Sequence, residues 1–282
     1  MNADKNIAVV FDFDHTLTDD STEAFLKSRG IVPKDFWDST VGNMVADGWD
    51  PSLAWTSAFC DLVGKSGPFG MLSEDDLREF GSTIEFYPGV EELFPELRAI
   101  GNSYPELNCE VEIYIISGGI EPLLRGTSIS EKVDGIRACT FAVSKTGVIK
   151  RPKRVVTFTE KTRFLFEISK GLLRTKQSDP YAVNRAIENS NLRVPMENMI
   201  YVGDGLTDVP AFSVVKQRGG VAFAVVNPAD KPRRTKAWRK LMQPRRVTNV
   251  FEPRYAREDM LGAFLREGVH QMCQRMAKPN KD

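Results

Sequence analysis

The sequence has little of what marks a membrane, secreted or zinc-binding protein. Among its 282 residues, no stretch approaches the roughly 20 apolar residues that a membrane-spanning helix requires. The first residues lead into an apolar run that is too short for a secretory signal, so we expect no export. The four cysteines lie far apart without a Cys-x-x-Cys pair, and there are only two histidines. These absences argue against disulfides and a thiolate zinc site, and they predict a cytoplasmic protein with no membrane partner.

The chain also lacks a net charge, but it is neutral only as a sum of unlike parts. It has 38 Lys and Arg residues against 38 Asp and Glu residues. Residues 1–120 hold 7 basic and 22 acidic residues, a net charge of −15, and the remainder carries +15. Two interpretations stay open: a field that steers a charged ligand, or two solvated faces of opposite sign.

Continuous apolar runs alternate with helical patterns along most of the chain. The runs predict strands at residues 7–11, 111–116, 199–202, 221–226 and, more weakly, 246–250. Buried strands that alternate with helices indicate an α/β protein with a parallel sheet. In such sheets, ligands bind beyond the carboxyl ends of the strands.

Two segments break this alternation. Residues 19–85 contain no convincing strand and hold three of the four tryptophans, so they predict a separate helical insert. Residues 1–18 and 86–282 would then form the core domain. Residues 172–195 are longer and more polar than a sheet connection needs, and they fit either a surface helix or an oligomer contact.

Polar residues with the chemistry of a site follow the predicted strands. Asp12 and Asp14 come after the first strand, and Asp204 and Asp208 come after the third. Four carboxylates at one edge of a sheet would form an all-oxygen site that suits Mg²⁺.

Two further features could complete a site for a phosphate. Ser117 and Gly118 precede a helix start that could hold an anion. The spacing of Thr157 and Glu160 fits a capping box, which places Lys161 in the first turn of a helix.

These motifs, in this order, resemble those of the haloacid dehalogenase superfamily, most closely its phosphoserine-phosphatase-like hydrolases. They read Asp-Phe-Asp-His-Thr-Leu-Thr, Ile-Ile-Ser-Gly-Gly, a helix-start lysine, and Gly-Asp-Gly-Leu-Thr-Asp. The resemblance implies a doubly wound, Rossmann-like core with a helical cap domain inserted after the first strand. It also implies a Mg²⁺-dependent phosphatase that acts on a small phosphorylated metabolite.

The resemblance also implies a role for each residue. Asp12 would be the nucleophile that forms an aspartyl-phosphate, Asp14 the acid and base, and Lys161 the cation that neutralises charge around them. Mg²⁺ would be held by the Asp12 carboxylate, the Asp14 backbone carbonyl and Asp204, with Asp208 supporting the lysine or a metal-bound water. The residues expected to bind the phosphoryl group or the substrate are Ser117, Gly118, Thr16 and His15. For His15, a purely structural role stays open.

Two positions in the sequence exclude some of the activities known in the superfamily, but they do not identify the substrate. Asp14 argues against the metal-free dehalogenases of the superfamily, which lack an acid at that place. Related phosphoserine phosphatases carry a glutamate where this chain has Ser21, which argues against phosphoserine. Two alternatives remain: a phosphotransferase that passes the phosphoryl group to a second metabolite, and a non-catalytic scaffold that binds a phospho-ligand or a polyanion.

Two other groups of residues have more than one interpretation. The aromatic residues of the insert, among them Trp37, Trp49, Trp55 and Phe59, form either its own core or a wall of the substrate pocket. Residues 231–246 hold 8 basic residues and no acid. Because no nucleic-acid-binding motif accompanies them, we favour a basic helix on the rim of the core and expect no nucleic-acid partner. The oligomeric state stays open.

Overall fold

A seven-stranded sheet forms the centre of the protein. The computed structural model describes residues 6–174, 179–229 and 231–278, without the side chains of Lys231 and Arg233. The strands lie in the order β4-β3-β2-β1-β5-β6-β7. Their bounds are β1 Ile7–Phe11, β2 Val111–Ile120, β3 Gly135–Val143, β4 Ile149–Arg154, β5 Met199–Gly203, β6 Val221–Val225 and β7 Asn249–Phe251.

Helices lie between the strands and in the segment after β1. Their bounds are α1 Ser21–Ser28, α2 Gly42–Ala46, α3 Pro51–Asp61, α4 Glu74–Gly81, α5 Val90–Asn102, α6 Glu121–Arg125, α7 Glu160–Ser169, α8 Val209–Gln217, α9 Lys231–Ala237 and α10 Met260–Ala277. Within the described part of the chain, no helix combines the length and the apolar character needed to cross a membrane. All four cysteines are buried and free, as predicted.

The five predicted strands are confirmed, and two further strands were missed. All five residues of β1 are buried, and β1 pairs in parallel with both β2 and β5. Such a strand reads as a continuous apolar run because both of its faces are covered. Strands β3 and β4 escaped notice because β3 carries polar residues and β4 is largely basic. Strand β4 pairs antiparallel with β3, so the sheet is mixed, while the other neighbouring strands pair in parallel and form the predicted parallel core.

The end of β2 also differs from the prediction. The strand continues to Ile120 and so contains Ser117 and Gly118, with an irregular register against β3 between Ile116 and Ile120. The helix that follows, α6, has only five residues and carries its proline in the first turn, as predicted. The Ser-Gly-Gly motif therefore lies in extended backbone at the end of β2, and the predicted helix start directly after it is confirmed.

The insert after β1 is helical, as predicted. Its two ends lie side by side: the Thr18 hydroxyl donates to the Glu85 carbonyl at 2.6 Å, and the Tyr87 amide donates to the Leu17 carbonyl at 2.8 Å. The Phe59 ring is fully buried and stacks on Phe141 of β3, with ring centroids 5.4 Å apart. These contacts agree with an insert at residues 19–85, and the division into two domains stays a prediction.

A buried carboxylate near the start of β2 anchors residues 172–195 to the sheet. Of this predicted insert, residues 175–178 lie outside the described part of the chain, and the rest contains short 3₁₀ turns and no α-helix. Glu112 of β2 is fully buried and pairs with Arg174 at 3.2 Å and with Arg193 at 2.6 Å. It also accepts hydrogen bonds from Asn6 and Tyr114. A buried carboxylate needs such partners, so this segment provides the charge that Glu112 requires.

Candidate active site

Asp12 lies at the carboxyl end of the central strand β1. Its backbone amide donates to the Val202 carbonyl at 2.8 Å, which continues the pairing with β5. Its carboxylate accepts a hydrogen bond from the Phe13 amide at 2.7 Å and is only 5% exposed. A carboxylate in such a place requires a compensating cation.

Lys161 supplies part of that charge from the first turn of α7. Its Nζ atom lies 2.7 Å from Asp12 Oδ2 and 2.6 Å from Asp208 Oδ1, and the residue is 3% exposed. Burial alone would lower the pKa of Lys161, but the carboxylates of Asp12 and Asp208 raise it above its ordinary value. The lysine is therefore a fixed positive charge. Its predicted position is confirmed, although α7 begins at Glu160 and only the Thr157 half of the predicted capping box forms.

Asp208 is fully buried and holds the lysine in place. Besides Lys161, it accepts hydrogen bonds from the Tyr201 hydroxyl at 2.7 Å and from the Gly205 amide at 3.1 Å. Burial and the nearby Asp208 raise the pKa of Tyr201 well above its ordinary value, so the hydroxyl keeps its proton and donates. With three donors on its carboxylate, Asp208 fits the supporting role that the sequence resemblance implied.

The carboxylates of Asp12, Asp204 and Asp208 each place an oxygen within 4.8 Å of the others. Burial raises the pKa of Asp12 well above its ordinary value, and the Asp208 and Asp204 charges add to the rise while Lys161 opposes it. Lys161 thus pairs with Asp12 and Asp208, and the Asp204 carboxylate lies close to both of them. An all-oxygen donor set with excess negative charge fits a hard divalent cation such as Mg²⁺.

The Asp14 side chain is not part of this group of carboxylates and is bound by Ser21. Its Oδ1 atom accepts hydrogen bonds from the Ser21 amide at 2.8 Å and the Ser21 hydroxyl at 2.6 Å. Burial, with a smaller contribution from Asp20, raises the pKa of Asp14 to about 7, although the bonds from Ser21 oppose the shift. A carboxyl group with such a pKa can both donate and accept a proton near neutral pH.

The Ser117-Gly118-Gly119 segment approaches Asp14 across the site. The Ser117 hydroxyl accepts a hydrogen bond from the Gly119 amide at 2.9 Å, and Ser117 and Gly118 line a cavity together with Asp12 and Asp14. A Cβ atom at Gly119 would lie 2.7 Å from Asp14 Oδ2. Glycine is required here because the backbone passes so close to the carboxylate.

His15 and Thr16, the other predicted binding residues, have different surroundings. His15 lines the cavity with left-handed backbone, φ +57°, and its Nε2 atom lies 3.6 Å from Asp20 Oδ2. Thr16 is fully buried and does not line that cavity. The Thr16 carbonyl accepts a hydrogen bond at 2.6 Å from the Tyr255 hydroxyl. The roles of His15 and Thr16 in binding stay predictions.

The cavity above these residues has a volume of about 550 Å³, which is within the range of small-molecule sites. The aromatic residues of the insert were expected to form either its own core or a wall of the substrate pocket, and they do not all follow one interpretation. Trp37 and Trp55 line the cavity, while Phe59 is buried in the core and Trp49 is 41% exposed. From the basic segment 231–246, Lys236, Ala237 and Leu241 also line the cavity. The prediction of a helix on the rim is confirmed by α9.

Three contacts of the site were missed from the sequence: those of Tyr201, Tyr255 and Ser21. The contact of Tyr201 could have been predicted, because a tyrosine in a buried strand needs a partner for its hydroxyl. No sequence pattern predicts the contacts of Tyr255 and Ser21. Tyr255 contacts a residue 239 positions away, and the Ser21 bond to Asp14 depends on how α1 begins.

No family model matches the chain. An uncharacterized protein of Borreliella burgdorferi is 28% identical over 241 residues, 76% of this chain and 80% of that protein.

Solved structures resemble the chain at low sequence identity. A HAD family hydrolase from Salmonella enterica serovar Typhi has a TM-score of 0.57 at 16% identity, covering 89% of this chain and 68% of its own. A phosphoserine phosphatase in apo form has a TM-score of 0.56 at 17% identity, covering 90% and 97%. A phospho-aspartyl intermediate analogue of phosphoserine phosphatase has a TM-score of 0.52 at 16% identity, covering 93% and 99%.

These likenesses define the fold. The chain has the fold of the haloacid dehalogenase hydrolases, a Rossmann-like core with a helical cap. Within that fold, it resembles the phosphoserine phosphatases along nearly their whole length. The fold that the sequence resemblance implied is confirmed.

Proposed function

We propose that this protein is a Mg²⁺-dependent phosphatase that hydrolyses a small phosphomonoester through an aspartyl-phosphate on Asp12. One observation carries the proposal. Lys161 joins the Asp12 and Asp208 carboxylates at the carboxyl edge of the sheet, and Asp14 lies beside the same cavity. The phosphatases of the same fold support it, and the free, buried cysteines agree with a cytoplasmic location.

In the first step, an Asp12 carboxylate oxygen attacks phosphorus and the bond from phosphorus to the ester oxygen breaks. Asp14 gives its proton to the leaving oxygen, which departs as an alcohol. The Lys161 ammonium would offset the repulsion between the carboxylate and the phosphate, and the Ser117 hydroxyl and Gly118 amide would bind the phosphoryl oxygens.

In the second step, a water molecule attacks the aspartyl-phosphate. Asp14, now a carboxylate, takes a proton from that water, so inorganic phosphate leaves and both aspartates return to their starting states. Asp12, Asp204 and the Asp14 backbone carbonyl would hold Mg²⁺, which when bound neutralises charge on the phosphoryl oxygens.

The test is hydrolysis of p-nitrophenyl phosphate with Mg²⁺ and after chelation. We expect Asp12→Asn to abolish turnover and the covalent labelling of the protein by a radioactive phosphoryl donor. Asp47→Asn, the same change at an exposed residue of the insert, should keep both. Retention of most activity by Asp12→Asn would refute the assignment. Transfer of the label to an added alcohol instead of water would identify a phosphotransferase.

A further inference from the structure

Part of the cavity lining is apolar. Val41, Trp37 and Trp55 of the insert contribute to it, and the Trp37 and Trp55 rings meet edge to face with centroids 6.1 Å apart. Leu241, which follows α9, contributes as well. A substrate held between these residues needs an apolar body next to its phosphate.

Most of the charged side chains that line the cavity are already paired. Lys161 binds two carboxylates. Asp20 accepts a hydrogen bond from the Glu23 amide at 2.8 Å and lies 3.6 Å from His15, so its two oxygens face groups of the protein. The Asp14 carboxylate is bound by Ser21.

Lys236 differs from them. It lies on α9, lines the cavity and is exposed. Among the residues that the structure describes, it has no carboxylate within salt-bridge distance. An ammonium group on the wall of a partly apolar cavity gains most from a ligand that brings its own negative charge.

We propose that Lys236 binds a second anionic group of the substrate. The preferred substrate is then a phosphomonoester with an apolar body and, in addition to the phosphate, a carboxylate or a second phosphate-like group. This inference rests on the proposed phosphatase activity and specifies its substrate class.

The test compares aryl phosphates that differ only in the charge of one substituent. They are 4-carboxyphenyl phosphate, its neutral amide 4-carbamoylphenyl phosphate, and 4-phosphonophenyl phosphate, whose phosphonate cannot be hydrolysed. The readout is the ratio of kcat/KM for each acid to that for the amide. A charged hydrogen bond predicts a ratio of about ten for the wild-type protein. A higher ratio for the phosphonate than for the carboxylate would identify a phosphate-like second group.

Two variants distinguish direct binding of the anionic substituent by Lys236 from a general electrostatic effect of the basic segment. Lys236→Gln should bring the ratio close to one. Lys240→Gln removes the same charge from an exposed lysine four residues on that does not line the cavity, and it should keep the wild-type ratio. Equal loss in both variants, or a wild-type ratio near one with clear turnover of the amide, would refute the role of Lys236. Failure of the wild-type protein to hydrolyse any of these esters with Mg²⁺ would instead refute the phosphatase, and this inference with it.

Discussion

Tyr201→Phe removes a single hydroxyl from the support of the site. That hydroxyl is one of three donors on Asp208, together with Lys161 and the Gly205 amide, and Tyr201 is fully buried. A hydrogen bond to a charged acceptor contributes about 1.5–3 kcal/mol, so we expect the free energy of unfolding to fall by that amount. If about half of this loss, about 0.75–1.5 kcal/mol, reaches the transition state through Lys161, kcat falls about three- to twelvefold, since each tenfold corresponds to about 1.4 kcal/mol.

A matched control is available in the same sheet. Tyr114 is also fully buried and donates to a carboxylate, that of Glu112, at 2.6 Å, but that carboxylate lies outside the cavity. Tyr114→Phe should lose similar stability in urea denaturation and keep its kcat with p-nitrophenyl phosphate. If both variants keep wild-type kcat while both are destabilised, the Tyr201 bond serves stability alone and our reasoning about Asp208 is wrong.

Three other changes have defined outcomes. Gly119→Ala places a Cβ atom against Asp14, so kcat should fall at least about tenfold, and the overpacking should lower the free energy of unfolding by about 1–3 kcal/mol in urea denaturation. Normal kcat would contradict the close approach. Glu112→Ala leaves the buried Tyr114 hydroxyl without its acceptor and should cost about 1–3 kcal/mol by the same measurement, and no measurable loss would show that the pairing is unimportant. Phe59→Ala removes a buried ring that packs on β3 and should cost about 3–5 kcal/mol by the same measurement, with a small loss indicating that the insert does not depend on this contact.

The catalytic residues could be located from the sequence because they lie at the ends of buried strands. Asp12 follows β1 and Asp204 follows β5, and these strands are neighbours in the sheet. An apolar run that ends in a polar motif identifies both the strand and the edge where ligands bind. The prediction for Lys161 depended on a capping box that forms only in part. The predicted position in the first turn of a helix was nevertheless correct.

Other features could not be read from local pattern. Strand β4 lies at the edge of the sheet, is largely basic and has only one buried residue. The pattern of apolar residues that identifies a buried strand is therefore missing. The cavity wall formed by Lys236 and Leu241 depends on where α9 crosses the site, which no local motif encodes.

The sequence by itself thus determined the central strands, the helical insert and the order of the motifs, because burial and turn chemistry act on neighbouring residues. The tertiary structure decided which distant groups meet. It brought Tyr201 and Lys161 to the Asp208 carboxylate, and Tyr255 to the Thr16 carbonyl. It also brought Arg174 and Arg193 to Glu112. Such contacts depend on how packed elements face one another, and a buried polar group must find its partner wherever that packing provides one.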